Sequence, residues 1–249
     1  MDDTEAMTRW RSLVARRDGQ DLVAALSHEP WPENALQLIG DGLLAAVRDG
    51  VEGAAQVAAR CVAALRERDW DGDEELADAL DAALGSGPAP MLRPLPVDLE
   101  QLAMILEGDP VYGGGGVDLS TGEVWAQPAL EYAAEIGEIG DEDDEDDEDD
   151  EDDEDDEDDE DERWLWVECQ GSRGGYRDMV EFIDRLDDPL LADRLTYAIG
   201  GRGAFRRFKD VLSERPELLT RWYDFSNERQ RGRARRWLAA EGYTPTRVA

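Results

Sequence analysis

Lysine is almost missing from this sequence. Of 26 basic residues in 249, Lys209 is the one lysine and the other 25 are arginines. Histidine is reduced to His28, and cysteine to Cys61 and Cys169. One imidazole excludes a histidine metal cluster, and any Ser-His-Asp arrangement has to borrow His28 from the N-terminal part. Two distant thiols build neither a disulfide framework nor a zinc cage, which predicts a reduced, cytoplasmic setting. No apolar run approaches the ~18 residues that cross a bilayer. The opening MDDTEAMTRW lacks the apolar stretch of a secretory leader. No metal, no cofactor and no membrane partner are expected.

What is abundant is negative charge. Sixty-two acids leave the chain at −36, unevenly spread. Residues 1–140 carry 27 acids and 9 bases, residues 141–162 are all Asp or Glu, and residues 163–249 carry 13 acids and 17 bases. The middle run repeats Asp-Glu-Asp with neighbouring charges about 3.3 Å apart along an extended chain. That spacing is well inside the ~8 Å Debye length, so salt does not relax the repulsion. A disordered acidic insert is predicted there.

Residues 1–85 read as helices only. LVAAL (22–26), ALQLIGDGLLAAV (35–47) and AAQVAARCVAAL (54–65) place apolar residues three and four apart, punctuated by Asp18-Gly19, Asp49-Gly50 and Asp71-Gly72. Four to five short helices packed as hairpins are expected. Residues 86–96 are rich in proline and read as a semi-extended linker. A second domain is expected over 97–140 and 163–249, interrupted by the insert at 141–162. In it, VDLEQLAMILEG reads as a helix capped by Asp98, with Leu99, Leu102, Ala103 and Leu106 on one face. GGVDLSTGEVWAQP reads as two strands joined through Ser120-Thr121-Gly122, and RWLWVEC as a third strand pairing with them. The remainder reads as helices ending in two separate segments before Glu241. The fold class is α+β: an N-terminal helical segment, then a small antiparallel sheet of about three strands with the C-terminal helices on one face.

AIGGRGAFRRFKDVL (198–212) raises the sharpest local question. Glycines 200, 201 and 203 with Arg202 are able to turn N–H groups toward an anion at a helix start. They serve equally as a helix C-cap and tight turn. The stretch follows a helical pattern, not a strand, and no Ser or Thr follows a lysine as in a phosphate-binding loop, which favours the turn. On a helical wheel Ala204, Phe205, Phe208, Val211 and Leu212 share one arc and belong in the core. Arg206 and Asp210, four apart, are placed to pair.

DLSTGEV (118–124), YRDMVEFI (176–183), AIGGRGAFRRFKDVL and RWYDF (221–225), in this order, resemble the bacterial uncharacterised protein family 0158 over residues 96–243. The resemblance implies no established activity and no catalytic positions. YGGGG (112–116) departs from the ordered, tyrosine-containing strand expected there, and residues 1–90 lie outside the resemblance.

The best functional signal is NERQRGRARRWLAAE (227–241). The wheel buries Gln230, Ala234, Trp237 and Leu238 and sets Arg229, Arg233 and Arg236 opposite, with Arg231 and Arg235 at the flank. Together with Arg202, Arg206, Arg207 and Lys209 they form the candidate anion- or polyanion-binding set. A solvated helix face is the plainer reading of the same pattern. Three functions are carried forward. The first is a non-enzymatic interaction or regulatory module with an unknown protein partner. The second is a nucleic-acid binder working through the C-terminal arginines, masked by its own acidic tract. The third is a hydrolase using carboxylates such as Asp118, Glu123 or Glu168. No catalytic residue is assigned.

Overall fold

The computed structural model describes residues 3–28, 31–108, 114–136 and 163–246. The acidic run at 141–162 lies outside the described residues. The chain forms two compact units, one from Met1–Leu92 and Gly174–Gly242, the other from Arg93–Arg173 and Tyr243–Ala249.

The first unit is helical. It begins with α1 (Asp3–Ala15), α2 (Gly19–His28), a 3-10 turn (Glu33–Ala35), α3 (Leu36–Arg48), α4 (Ala54–Arg68) and α5 (Asp73–Leu84). Apolar side chains of these helices converge: Trp10, Leu22, Leu26, Ile39, Leu43, Leu65, Leu76 and Leu80 are buried in one mainly aliphatic core. Each fully buried leucine contributes roughly 1.5–3 kcal/mol.

The same unit takes in the C-terminal helices: α8 (Arg173–Asp184), α9 (Pro189–Ile199), α10 (Ala204–Leu212) and α11 (Pro216–Ala240). Their core is aromatic. Phe208 lies 4.7 Å from Trp222, and Phe182 lies 5.4 Å from Trp222 and 6.2 Å from Phe208, ring centre to ring centre. Edge-on and tilted packing of this kind suits the ring quadrupoles. Phe208 is fully buried and Phe205 partly so, as the wheel places them.

Two expectations change here. The predicted pair of terminal segments is one 25-residue helix, α11. The C-terminal helices fall in one compact unit with the N-terminal helices, so the division of the chain differs from a boundary at 86–96. The reason is that α11 carries both an apolar and a charged complement to residues 31–84. Trp70 packs its ring 5.4 Å from Phe225. At Gly232 the helix touches backbone: a Cβ there would lie 2.0 Å from the Asp71 carbonyl oxygen, and one at Gly72 would lie 2.2 Å from the Gly232 oxygen. Gly232, in mid-helix, is thus needed for close approach and does not end the helix.

The second unit contains β1 (Arg93–Leu95), α6 (Leu99–Leu106), β2 (Gly115–Asp118), β3 (Val124–Ala126), α7 (Gln127–Glu135), β4 (Trp164–Val167) and β5 (Tyr243–Pro245). Asp98 caps α6 by accepting from the Glu100 and Gln101 amides, and Leu99, Leu102, Ala103 and Leu106 are the buried face. The sheet is antiparallel in the order β3-β2-β4, with Gly116 opposite both Trp125 and Trp166. Gly122 adopts φ +77° in the predicted hairpin turn. Helices flank both faces of the sheet, not one. A Cβ on Gly115 would meet Ile105 of α6, and one on its neighbour Gly116 would meet Trp164 and Leu130 of α7. Successive strand residues point to opposite faces. The expected linker is not a bare spacer: β1 pairs in parallel with β5.

Candidate functional site: an arginine-rich helix and an adjoining cleft

The arginines of α11 face carboxylates. Arg231 Nε donates to Asp41 (3.0 Å), and Arg235 donates to Asp41 (2.6 Å) and to the Gln37 side-chain oxygen (2.8 Å). Gln37 passes the connection on, donating its amide to Asp73 at 2.9 Å. Asp73 receives two bonds from Arg68, at 2.8 and 2.5 Å. Arg68 also donates to Glu228 (2.8 Å), which accepts the Gln37 backbone N–H as well (2.5 Å). Three guanidiniums, Arg68, Arg231 and Arg235, therefore face three carboxylates, Asp41, Asp73 and Glu228, in a neutral network. Burial pushes the Asp41 carboxyl up, but Arg235 and Arg231 outweigh it and hold the group below its ordinary range. At Glu228 burial wins over Arg68 and the Gln37 N–H, and the carboxyl is raised. Cys61 beside this network is pushed up to about 12, by burial first and then by the Glu228 charge. Such a thiol is inert.

A second cluster sits on the other side of the helix. Asp178, fully buried, accepts from Arg229 (3.2 Å) and from Arg233 (3.0 and 2.7 Å). Arg229 also reaches Glu181 at 3.1 Å and lies 4.8 Å from the Trp70 ring centre. Arg236 pairs with Asp71. Most of the expected polyanion face is thus engaged in ion pairs. Arg229, Arg231, Arg233 and Arg235 are turned inward onto acids of α3 and α8, and the side chain of Arg235 is only 3% exposed. A wheel drawn on α11 alone reads these positions as polar; it does not contain Asp41 or Asp178.

The glycine turn is closed by a side chain of its own helix. Gly201 and Gly203 take φ +80° and +81°. The groups gathered inside the turn are carbonyls. Arg207 donates Nε to the Ala198 oxygen (2.9 Å), Nη2 to the Gly200 oxygen (2.7 Å) and Nη1 to the Arg202 oxygen. The turn is a cation-accepting cradle filled by its own helix. Arg202 and Arg206 are exposed; Arg206 lies 3.9 Å from Asp210, the expected i,i+4 pair. Lys209 Nζ lies 5.8 Å from the Tyr223 ring centre.

Of the carboxylates proposed for hydrolysis, Asp118 is taken up by its own turn. Asp118 accepts from the Ser120 N–H (2.8 Å), the Ser120 hydroxyl (2.5 Å) and the Thr121 N–H (3.2 Å), and from Arg163 at 2.8 Å. Burial raises its carboxyl, but these bonds outweigh that and hold it below the ordinary range. It is a turn-holding aspartate. Glu123 and Glu168 are exposed. No group of His, Cys, Asp and Glu among the described residues is placed to hold a metal. No helix among them is long and apolar enough to cross a membrane.

Sequence reasoning missed a cleft in the helical unit. Pro32 and Asn34 form one wall, Phe182, Arg185 and Leu186 of the α8 end another, and Arg221 and Phe225 of α11 a third, enclosing about 590 Å³. Arg221 and Phe225 are four apart and share a helix face, the one signal available beforehand. Arg185 is held by Glu181 at 2.8 Å, its guanidinium 5.0 Å from the Trp70 ring centre.

Comparison with known proteins follows these elements. A UPF0158 protein of Pseudomonas aeruginosa is 33% identical over 84 residues, 34% of this chain and 55% of that relative. The chain thus covers about half the length of that relative. No solved structure matches. The model of the uncharacterised protein family UPF0158 matches residues 138–247, which hold α8 to α11 but not the DLSTGEV hairpin. Over that C-terminal segment, residues 138–247, the chain is similar to the uncharacterised protein family UPF0158.

Proposed function

We propose that the chain is a non-enzymatic, cytoplasmic interaction module, with α9 as its docking surface for a protein partner. One observation carries this reading. Leu190 is 76% exposed and Tyr197 is 89% exposed. Seven residues apart, they stack two turns from each other on one face of α9. The opposite face, Leu191, Leu195, Ala198 and Ile199, is buried. Scattered apolar residues on a surface are ordinary, but an aligned leucine and tyrosine on a helix already anchored from behind form the start of an apolar patch. Tyrosine is also favoured at interfaces, with a ring to bury and a hydroxyl to bond. The helix lies within the family-matched segment.

The pairing of the α11 arginines weighs against nucleic-acid binding through that helix, and the turn-holding bonds of Asp118 weigh against the hydrolase reading. The test is cross-linking from position 197, read beside capture with a Leu190→Asp/Tyr197→Asp chain. A discrete protein held by the wild type and lost from the double variant, at unchanged thermal midpoint, is expected. Retention of that protein by the variant removes the reading.

A further inference from the structure

In a chain of net charge −36, the cleft of the helical unit stands out by its sign. Two guanidiniums, Arg185 and Arg221, line it, and no described lining residue is a carboxylate. Arg185 is already tied to Glu181. Arg221 is different. It is exposed, and among the described residues it makes none of the ion pairs that turn the later arginines of α11 inward. One turn further along the same face, Phe225 lines the cleft together with Phe182; both rings are almost wholly buried, and the little apolar surface they present is rigidly held. A cation and apolar side chains lining one cleft select a ligand with two unlike ends. The guanidinium offers paired N–H donors matched to a carboxylate or phosphate. The rings and Leu186 offer a surface that water wets poorly, and Asn34 adds an amide at the opposite wall. The volume, about 590 Å³, lies within the range of small-molecule sites.

We infer that this cleft binds a small organic anion, its carboxylate or phosphate on Arg221 and its apolar body against Phe182 and Phe225. The inference is independent of the α9 surface, since neither Leu190 nor Tyr197 lines the cleft.

Calorimetric titration of the full chain tests it with four probes: phenyl phosphate, phenylacetate, inorganic phosphate and benzyl alcohol. One of the two aryl anions is expected to bind, and which one does separates a phosphate ligand from a carboxylate ligand. Inorganic phosphate and benzyl alcohol, each lacking one end, are expected to bind at least about tenfold more weakly. Arg221→Gln is expected to weaken the aryl anion by about tenfold or more, the usual size of a charge-assisted bond. Arg206→Gln, an exposed control away from the cleft, is expected to change nothing. Arg221→Lys keeps the charge and is expected to fall between wild type and Arg221→Gln, which separates lost recognition from lost folding. Three results overturn the inference: neither aryl anion binding at about 10 mM, equal affinity in Arg221→Gln, or inorganic phosphate binding as tightly as phenyl phosphate.

Discussion

The two cores of the helical unit are built from different materials. The one made by residues 6–84 is aliphatic, and its helices close on each other through small residues; a Cβ on Gly40 would lie 2.5 Å from Leu76. The one made by residues 179–225 is aromatic, with Phe182 and Trp222 in ring contact with each other and each with Phe208 and Phe225. Alanine-rich helices bury area by running close together. Helices of 9 to 12 residues have few positions to spend and use large side chains. The helix α11 belongs to both. Its first half supplies Trp222 and Phe225 to the rings, and its second half supplies Glu228, Arg231 and Arg235 to the ionic network. The lesson is that the two cores are joined through bonded charge as well as through apolar contact. Oppositely charged groups fix geometry more narrowly than apolar surfaces do, and removing one partner leaves another buried and unpaired.

Several substitutions probe that contrast. Phe208→Ala empties the centre of the aromatic core and is expected to cost about 3–5 kcal/mol in urea unfolding. If the two cores form one cooperative unit, fluorescence and far-UV circular dichroism will report a single transition; a split transition breaks the picture of a joined pair. Next comes Arg68→Ala, which strands Asp73 and Glu228 and is expected to cost about 3 kcal/mol. A loss below about 1 kcal/mol would show the network to be solvated in solution. Gly232→Ala drives a methyl into the Asp71 carbonyl and is expected to cost about 1–3 kcal/mol.

A smaller effect separates the network by pH. Glu228 has a raised carboxyl, so the folded state binds its proton more tightly than the unfolded chain does. Its contribution is therefore fully present below the ordinary glutamate value of 4.5 and is lost as pH rises through the raised folded value. Asp41 and Asp118, both lowered, behave oppositely: their stabilisation holds above 3.8 and disappears as pH falls through their depressed values. Wild type is expected to gain on Glu228→Gln as pH drops from 7 toward 4.5, measured as the difference between two urea midpoints. A gap independent of pH would place Glu228 in water. The smallest expected change is at Arg206→Gln, whose side chain is 89% exposed: within about 0.5 kcal/mol of wild type.

Local grammar carried much of the fold. The Asp98 cap, the apolar face of α6, the Gly122 hairpin and the pairing of β4 with the strands before the acidic run all follow from short-range patterns. The turn at 200–203 did too, although nothing local assigns Arg207 to its carbonyls. Long-range charge was the illegible part. Arg235 and Asp41 are 194 residues apart, and a helical face that meets water is written in the same letters as one that meets carboxylates. Gly232 carries no local signal of its role, which depends on the Asp71 backbone lying against it. The cleft draws on three stretches, around 32–34, 182–186 and 221–225, and only the last shows any spacing of its own.

The pairing of β4 with β2 has a practical corollary. A protease cut anywhere between 137 and 162 would yield two peptides that denaturing gels separate. Yet ladder bonds from Gly115–Asp118 to Trp164–Val167, and the Arg235–Asp41 and Arg68–Glu228 bridges, each join one peptide to the other. The nicked protein should therefore travel as one species under native conditions, and separately expressed halves should reassociate.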